Sequence, residues 1–367
     1  MTILTEKQLA SLPHVRWWLL FVAAMVFVMV IVGGATRLTD SGLSITEWKP
    51  LLGAIPPLNE SHWLAAFDKY RQIPEYHLIN KGMSLDEFKF IYWWEWGHRF
   101  LGRAIGVIFF VPFVFFWLTG RLHRSCIPAL FMLFVLGGLQ GGLGWYMVKS
   151  GLVERTDVSQ YRLSAHLTLA TIIFAALIWT ALGFGNQKRR LAATLNPAWP
   201  ALGLVVLIIA QTALGGFVAG LDAGLSHNTW PLMDGRLIPD GLLVMEPVWR
   251  NFFENVLTVQ FQHRMMAYAI AIFAFVYAAR AMNETNPPAV RTSGLAILLA
   301  VLAQIGFGIW TLLAHVPITL GLIHQGGALV VLAACIWHLH EVCTAGDQTT
   351  CGAHSIAISS LPDQDRR

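Results

Sequence analysis

The chain has 367 residues, of which 56% are hydrophobic and only 13% charged, with a mean hydropathy of +0.57 and a formal net charge of +4. Soluble domains carry about 25% charged residues, so this composition excludes an ordinary soluble enzyme and specifies a membrane protein. The small net charge gives no footing for a nucleic-acid partner.

A helix needs about 20 apolar residues to cross the hydrocarbon core. Eight segments reach or approach that length: 15–36, 96–119, 126–148, 162–184, 199–221, 257–280, 292–314 and 318–340. The expected fold is therefore all-α, a polytopic protein with eight transmembrane helices. Lys7 and Arg16 precede the first apolar run as in a signal peptide, but the run is too long. It is followed by "GGATRLTD" instead of a small-residue cleavage site, so it reads as a retained helix. With no Arg-rich, acid-poor transit peptide ahead of it, a bacterial inner membrane is expected.

A long outer loop, 37–95, follows the first span. Within 58–76, Trp63, Leu64, Phe67 and Tyr70 recur at helical spacing, predicting an amphipathic helix that either rests on the bilayer surface, the reading slightly favoured, or lids a cavity of the protein. Arg121 and Arg124, then Lys188, Arg189 and Arg190, then Arg280 and Arg291 fall in the short loops on the other side. That bias places this side, and both termini, in the cytoplasm. Lys149, Arg155 and Arg162 weaken the bias without reversing it. Cys126, Cys335, Cys343 and Cys351 all map to the cytoplasmic ends or tail, which excludes a structural disulfide on the oxidising face.

The chain also repeats itself. Residues 33–50, "GGATRLTDSGLSITEWKP", resemble 215–232, "GGFVAGLDAGLSHNTWPL", at a constant offset of 182 (from 33 to 215). "GHRF" at 97 matches "QHRM" at 262, "QGGLGW" at 140 matches "QIGFGIW" at 304, and His166 falls opposite His324. An ordered series of this kind predicts a duplication. Each half holds four spans, an even number, so both halves enter the membrane in the same orientation, as a parallel repeat. The expected organisation is an N-terminal tail (1–14), a first four-helix bundle (15–184), a linker (185–198), a second bundle (199–340) and a C-terminal tail (341–367).

Thirteen histidines are present. His14, His62, His77 and His354 lie in tails or loops. His123, His338 and His340 sit at cytoplasmic helix ends, where snorkelling accounts for them. His227 and His315 are loop-side and open to either reading. His98, His166, His263 and His324 differ: they lie inside the second, fourth, sixth and eighth spans, near the outer face, and pair across the repeat. Ionisable residues within spans are costly and mark function. Two imidazoles on facing helices can take both axial positions of a haem iron, whereas zinc wants three or four protein ligands. Two pairs at one depth would pass electrons sideways, not across the membrane. The glycines of "GGLQGGLG" (137–144) and "GFG" (306–308) would admit a macrocycle, and would equally permit close helix packing.

The stretch "YWWEWGHRF" (92–100) adds Glu95 one turn outward from His98, and its counterpart in the second half is Gln260. The carboxylate is thus confined to one half. It is either an acid–base or charge-stabilising group on a bound macrocycle, or a structural partner of Arg99 or Arg103.

Eight spans, four histidines, "EWGHR" (95–99) and "TDSGLSITEW" (39–48) together resemble the haem A synthase family over nearly all of 15–340. The resemblance implies oxidation of a methyl group of haem O to the formyl group of haem A, in successive two-electron steps with water-derived oxygen. It implies that His263 and His324 ligate a resident haem B iron, that His98 and His166 hold the substrate haem, and that Glu95 is the essential acid. It further implies work beside a haem O synthase (farnesyltransferase), a role in cytochrome oxidase assembly, a membrane electron acceptor and homo-oligomer formation. Some members carry a cysteine pair in the first outer loop; 37–94 contain none, as in the cysteine-free proteobacterial and mitochondrial branch. Arg37, Arg99 and Arg103 are candidate propionate partners, although interfacial snorkelling explains them as well. Two rivals remain at this level. A quinol-linked di-haem electron carrier would leave Glu95 without a role. A transporter would place its polar site at the midplane in broken helices, not towards the outer face.

Overall fold

The computed structural model describes residues 4–48, 52–152, 156–185 and 198–359. The linker residues Lys188, Arg189 and Arg190 and the loop residue Arg155 lie outside them, as does the side chain of Cys351. Eight helices are long and apolar enough to cross a membrane. They are α1 (Glu6–Leu38), α4 (Leu85–Leu118), α5 (Ile127–Gly151), α6 (Gln160–Gly185), α7 (Trp199–Gly220), α9 (Val256–Ala281), α10 (Pro288–Leu313) and α11 (Ile318–Ser359). Helices are what such a sequence can form there, because lipid offers the backbone no hydrogen bonds and a helix satisfies its own.

The spanning helices pack as two rings of four. In the first, α1 contacts α4, α4 contacts α5, α5 contacts α6, and α6 returns to α1. In the second, α7, α9, α10 and α11 close in the same order. The rings meet through α1 and α6 on one side and α7 and α11 on the other, and α1 and α6 are the most buried of the eight spans.

Two starts differ from the hydropathy expectation. Thr5 and Gln8 form a reciprocal capping box that begins α1 at Glu6, and Ser84 and Glu87 form another that begins α4 at Leu85. Charged residues in that first turn of α4 lower its hydropathy without preventing the helix. Glu95 and His98 therefore sit well inside one continuous helix, whose outer extension carries Phe88, Ile91 and Tyr92.

Those three pack against the first outer loop. The amphipathic segment forms α2 (Glu60–Tyr70), capped by the Asn59 side chain, followed by a short α3 (Pro74–Leu78). Phe67 and Tyr70 are fully buried against Phe88, and Trp63 meets Tyr92 edge-on at 4.9 Å. The apolar face of α2 thus packs on protein instead of resting on the bilayer; of the four residues expected to face lipid, Leu64 alone is strongly exposed. The second outer loop runs to α8 (Asn251–Glu254), where the buried Asn251 bonds the backbone of Met245 and Val248.

At the opposite end, His338 does not snorkel. It is completely buried, with Nδ1 2.8 Å from the Ser293 hydroxyl and Nε2 3.1 Å from the Tyr277 hydroxyl. Cys126, Cys335 and Cys343 are buried.

Candidate functional site

One cavity of about 1190 Å³ runs from the long loops down between the spans of both rings, as deep as Val22, Leu133 and Leu177, and exceeds the ~300–1,000 Å³ of ordinary small-molecule pockets. His98, His166, His263 and His324 all line it, as do Glu95, Arg37, Arg99 and Arg103. His227 and His315 do not. The four histidines come from α4, α6, α9 and α11, and His98 lies within electrostatic range of His166, as His263 does of His324. The donors therefore converge in pairs, and among the described residues no group of three or more His, Cys, Asp or Glu side chains is placed to hold a bare metal ion. Paired imidazoles in an apolar chamber suit the two axial positions of a haem iron.

Each imidazole lies close against one glycine. A Cβ added at Gly33 would come within 3.1 Å of His98 Nε2, at Gly144 within 2.9 Å of His166 Cε1, at Gly215 within 3.3 Å of His263 Cε1, and at Gly308 within 2.7 Å of His324 Cε1. Four glycines on neighbouring helices thus fix where four rings can lie. Gly137, Gly138 and Gly141 also line the cavity, yet a Cβ there would meet nothing within 4 Å. Close helix packing does not need them; they leave room for an occupant.

Glutamines hold three of the histidine segments. Gln140 Nε2 donates to the His166 carbonyl at 3.0 Å, Gln211 to that of His263 at 3.0 Å, and Gln304 to that of His324 at 2.7 Å. Each amide also lies 3.2–3.4 Å from a ring nitrogen of the same histidine. Gln140 and Gln304 open the paired "QGGLGW" and "QIGFGIW" motifs, so the repeat itself carries the signal for them. Gln211 has no glutamine counterpart, since the offset of 182 leads to Met29.

Glu95 is buried, 2% exposed, and every lone-pair direction is engaged. Oε1 accepts from Arg99 Nε at 3.0 Å and Nη2 at 2.5 Å, while Oε2 accepts from the Ser44 hydroxyl at 2.7 Å and the Ile45 N–H at 2.6 Å. Arg99 continues to the carbonyls of Ile45 and Glu47. The corresponding positions of the second half repeat this with one polarity reversed. Arg264 reaches the carbonyls of His227 and Thr229, but Gln260 Nε2 donates to the carbonyls of Ala223 and Ser226 at 2.9 and 2.8 Å. Both pairs fasten an outer loop to a spanning helix. The structural pairing of Glu95 with Arg99 is therefore real, and Glu95 nonetheless lines the chamber.

Arg37 sits where the halves meet. Its guanidinium bonds Asp157 at 2.8 Å, Asp222 at 3.0 Å, Asp40 at 3.2 Å and the Ala219 carbonyl at 3.2 Å. Burial pushes the Asp157 carboxyl above its usual range, and Arg37 opposes that shift. Of the three arginines considered for propionates, Arg37 is committed to carboxylates of the chain, Arg99 to Glu95, and Arg103 lines the chamber wall.

With this geometry in place, comparison with known proteins decides the family. The COX15-CtaA family, described as cytochrome oxidase assembly protein, matches residues 16–336. The chain belongs to that family. Similar proteins include the haem A synthase of Parvibaculum lavamentivorans, 59% identical over 338 residues, covering 92% of this chain and 96% of that one. Those of Azorhizobium caulinodans (53% identical, 89% and 93% covered) and Rhodospirillum centenum (50%, 91% and 90%) are further examples. The match spans both rings and every residue of the chamber described above.

Proposed function

We propose that this chain is a haem A synthase that oxidises the methyl group of haem O to the formyl group of haem A. The observation that carries the reading is the single chamber lined by four histidines in two pairs, with a carboxylate at 95 and an amide at the corresponding 260. In this reading His98 and His166 hold the substrate haem, and His263 and His324 hold haem B. Haem B, when bound, supplies one-electron transfer from the chamber to a carrier in the membrane.

Each oxidation removes two electrons and two protons: methyl plus water gives the alcohol, alcohol plus water gives the gem-diol, and loss of water leaves the aldehyde. A methyl C–H is not acidic enough for a general base alone, so positive charge develops as electrons leave. Glu95, held as an anion by Arg99, Ser44 and the Ile45 N–H, is placed to stabilise that charge. Glycines 137, 138 and 141 leave room for the ring, and Gly33 and Gly144 limit where the His98 and His166 rings can lie. The chamber lies towards the outer loops of a multi-pass protein, which we assign to the bacterial inner membrane with both termini cytoplasmic. A haem O synthase is the expected supplier, and cytochrome oxidase assembly the expected destination; assembly as a homo-oligomer is part of the same proposal.

Extracting the pigments of the purified protein tests this. Haem B together with haem O or haem A is expected. Haem B alone, at two per chain, would overturn the reading in favour of a di-haem electron carrier.

A further inference from the structure

The reaction proposed above liberates protons inside a largely apolar chamber, and Glu95 is poorly built to carry them away. Both its oxygens are pinned by fixed donors, one of them the Arg99 guanidinium. A second carboxyl lines the same chamber. Glu75, on α3 of the outer loop, is 4% exposed, and its Oε2 is buried with no hydrogen-bond partner. Its Oε1 accepts from the Tyr70 hydroxyl at 3.2 Å and from Asn80 Nδ2 at 3.4 Å, and Asn80 also donates to the Tyr70 oxygen at 2.7 Å.

That is an unusual setting for a structural carboxylate, which ordinarily gains a cation or several N–H donors when buried. Besides Tyr70, the groups that act most on Glu75 are the carboxylates of Glu95, Asp40 and Asp157, and those carboxylates in turn hold the arginines of this region, Glu95 holding Arg99 and Asp40 and Asp157 holding Arg37. Burial, reinforced by the neighbouring carboxylates, pushes the Glu75 carboxyl up to about 8. Such a group both binds and releases a proton near neutral pH, the property a proton carrier needs. Its position completes the argument, because α3 belongs to the loop that contributes Glu47, Trp48 and Glu75 to the chamber wall.

We propose that Glu75, supported by Tyr70 and Asn80, is the proton outlet of the chamber, receiving the protons released by substrate oxidation and delivering them to the outer face. This rests on the oxidase reading, and the electrons of the same step leave by the one-electron carrier named there. Glu75 does not touch the reacting carbon; it acts on the protons alone. Glu95 stabilises charge and Glu75 empties the site.

Infrared titration of the purified, haem-loaded protein reads the proton directly. A protonated-carboxyl band is expected to disappear as pH rises through about 8, and to be missing in Glu75→Gln. Glu75→Gln keeps an acceptor for Tyr70 and should retain haem B, yet form haem A at least tenfold more slowly. It should also lack the rise in rate with pH that is expected of the wild type as Glu75 deprotonates. Glu75→Asp, which can still carry a proton, should recover part of that rate. Absence of the titrating band in the wild type would overturn the proposal even if no variant folded. So would a Glu75→Gln protein with wild-type rate and pH profile. Because the infrared band reports on Glu75 whichever pigment is bound, its failure is separable from a pigment extraction that overturns the oxidase reading.

Discussion

Replacing Glu95 by glutamine separates chemistry from fastening. The carboxylate receives two bonds from Arg99 on one oxygen and two from Ser44 and Ile45 on the other. A glutamine has one acceptor oxygen, so in either amide orientation an NH₂ group meets donors on one side. If it faces the loop, Ser44 can turn its hydroxyl towards the Ile91 carbonyl, 3.3 Å away, but the Ile45 N–H has no such recourse. An unpaired buried N–H costs about 1–3 kcal/mol. Breaking a buried ion pair costs about 3–5 kcal/mol, reduced here because Arg99 keeps two carbonyl partners. A loss of about 2–4 kcal/mol in stability follows. If the carboxylate also stabilises charge in the reaction, turnover should fall by about 10²–10³ as for other preorganised electrostatic groups. The assay is haem A formed per bound haem B, alongside a thermal melt. Lowered stability with near-normal turnover would refute the catalytic role and leave Glu95 as a fastener. Gln260→Glu is the matching control. Its new carboxylate would face the carbonyls of Ala223 and Ser226, two acceptors, so it should destabilise the second outer loop without creating activity there.

His263→Ala and His324→Ala should each lose most of the low-spin haem B, read from the reduced absorption spectrum; a normal bis-histidine spectrum in both would move haem B elsewhere. Gly308→Ala puts a methyl 2.7 Å from His324 Cε1 and should disturb the haem B spectrum. Gly144→Ala, with its methyl 2.9 Å from His166 Cε1, should leave that spectrum intact and lower haem A formation; the same spectral change in both variants would contradict the separate pairs. Arg37→Gln frees Asp157 and Asp222, which are 39% and 59% exposed, so solvent screening limits the loss to about 1 kcal/mol. A melting temperature unchanged within error would show that the clasp between the halves carries no stability.

The eight spans were legible because hydrocarbon thickness sets a length that apolar runs must meet, and the four histidines because they recur in pairs at one depth across the repeat, away from the helix ends that hold His338 and His340. What escaped was set by contacts that hydropathy does not encode. Asp86, Glu87 and Lys89 make the first turns of α4 polar, so hydropathy starts the span at 96, whereas the Ser84 box begins the helix at Leu85. Trp63, Phe67 and Tyr70 have the spacing of a lipid-facing stripe, and only the fold reveals that Phe88 and Tyr92 meet them first. His338 reads as a helix-end histidine until Ser293 and Tyr277, distant in sequence, close around it. Glu75 lies in a loop rich in ordinary acids, and burial alone distinguishes it.

The differences between corresponding positions point in one direction. Where the second half has Gln211 fastening the His263 segment, the first has Met29; where it has the neutral Gln260, the first has Glu95. A fastened histidine pair with no nearby carboxylate suits a cofactor that stays and changes only its charge. A pair with one segment unfastened, beside an anion, suits an occupant that must enter, be oxidised and leave. The hydrogen-bond polarity explains why one substitution does not convert one site into the other. The first outer loop presents a hydroxyl and an N–H to position 95, the second presents two carbonyls to position 260, and each loop therefore accepts only its own side chain. The asymmetry is written into loop backbones as well as into side chains, and giving position 260 the setting of Glu95 would require moving the loop with it.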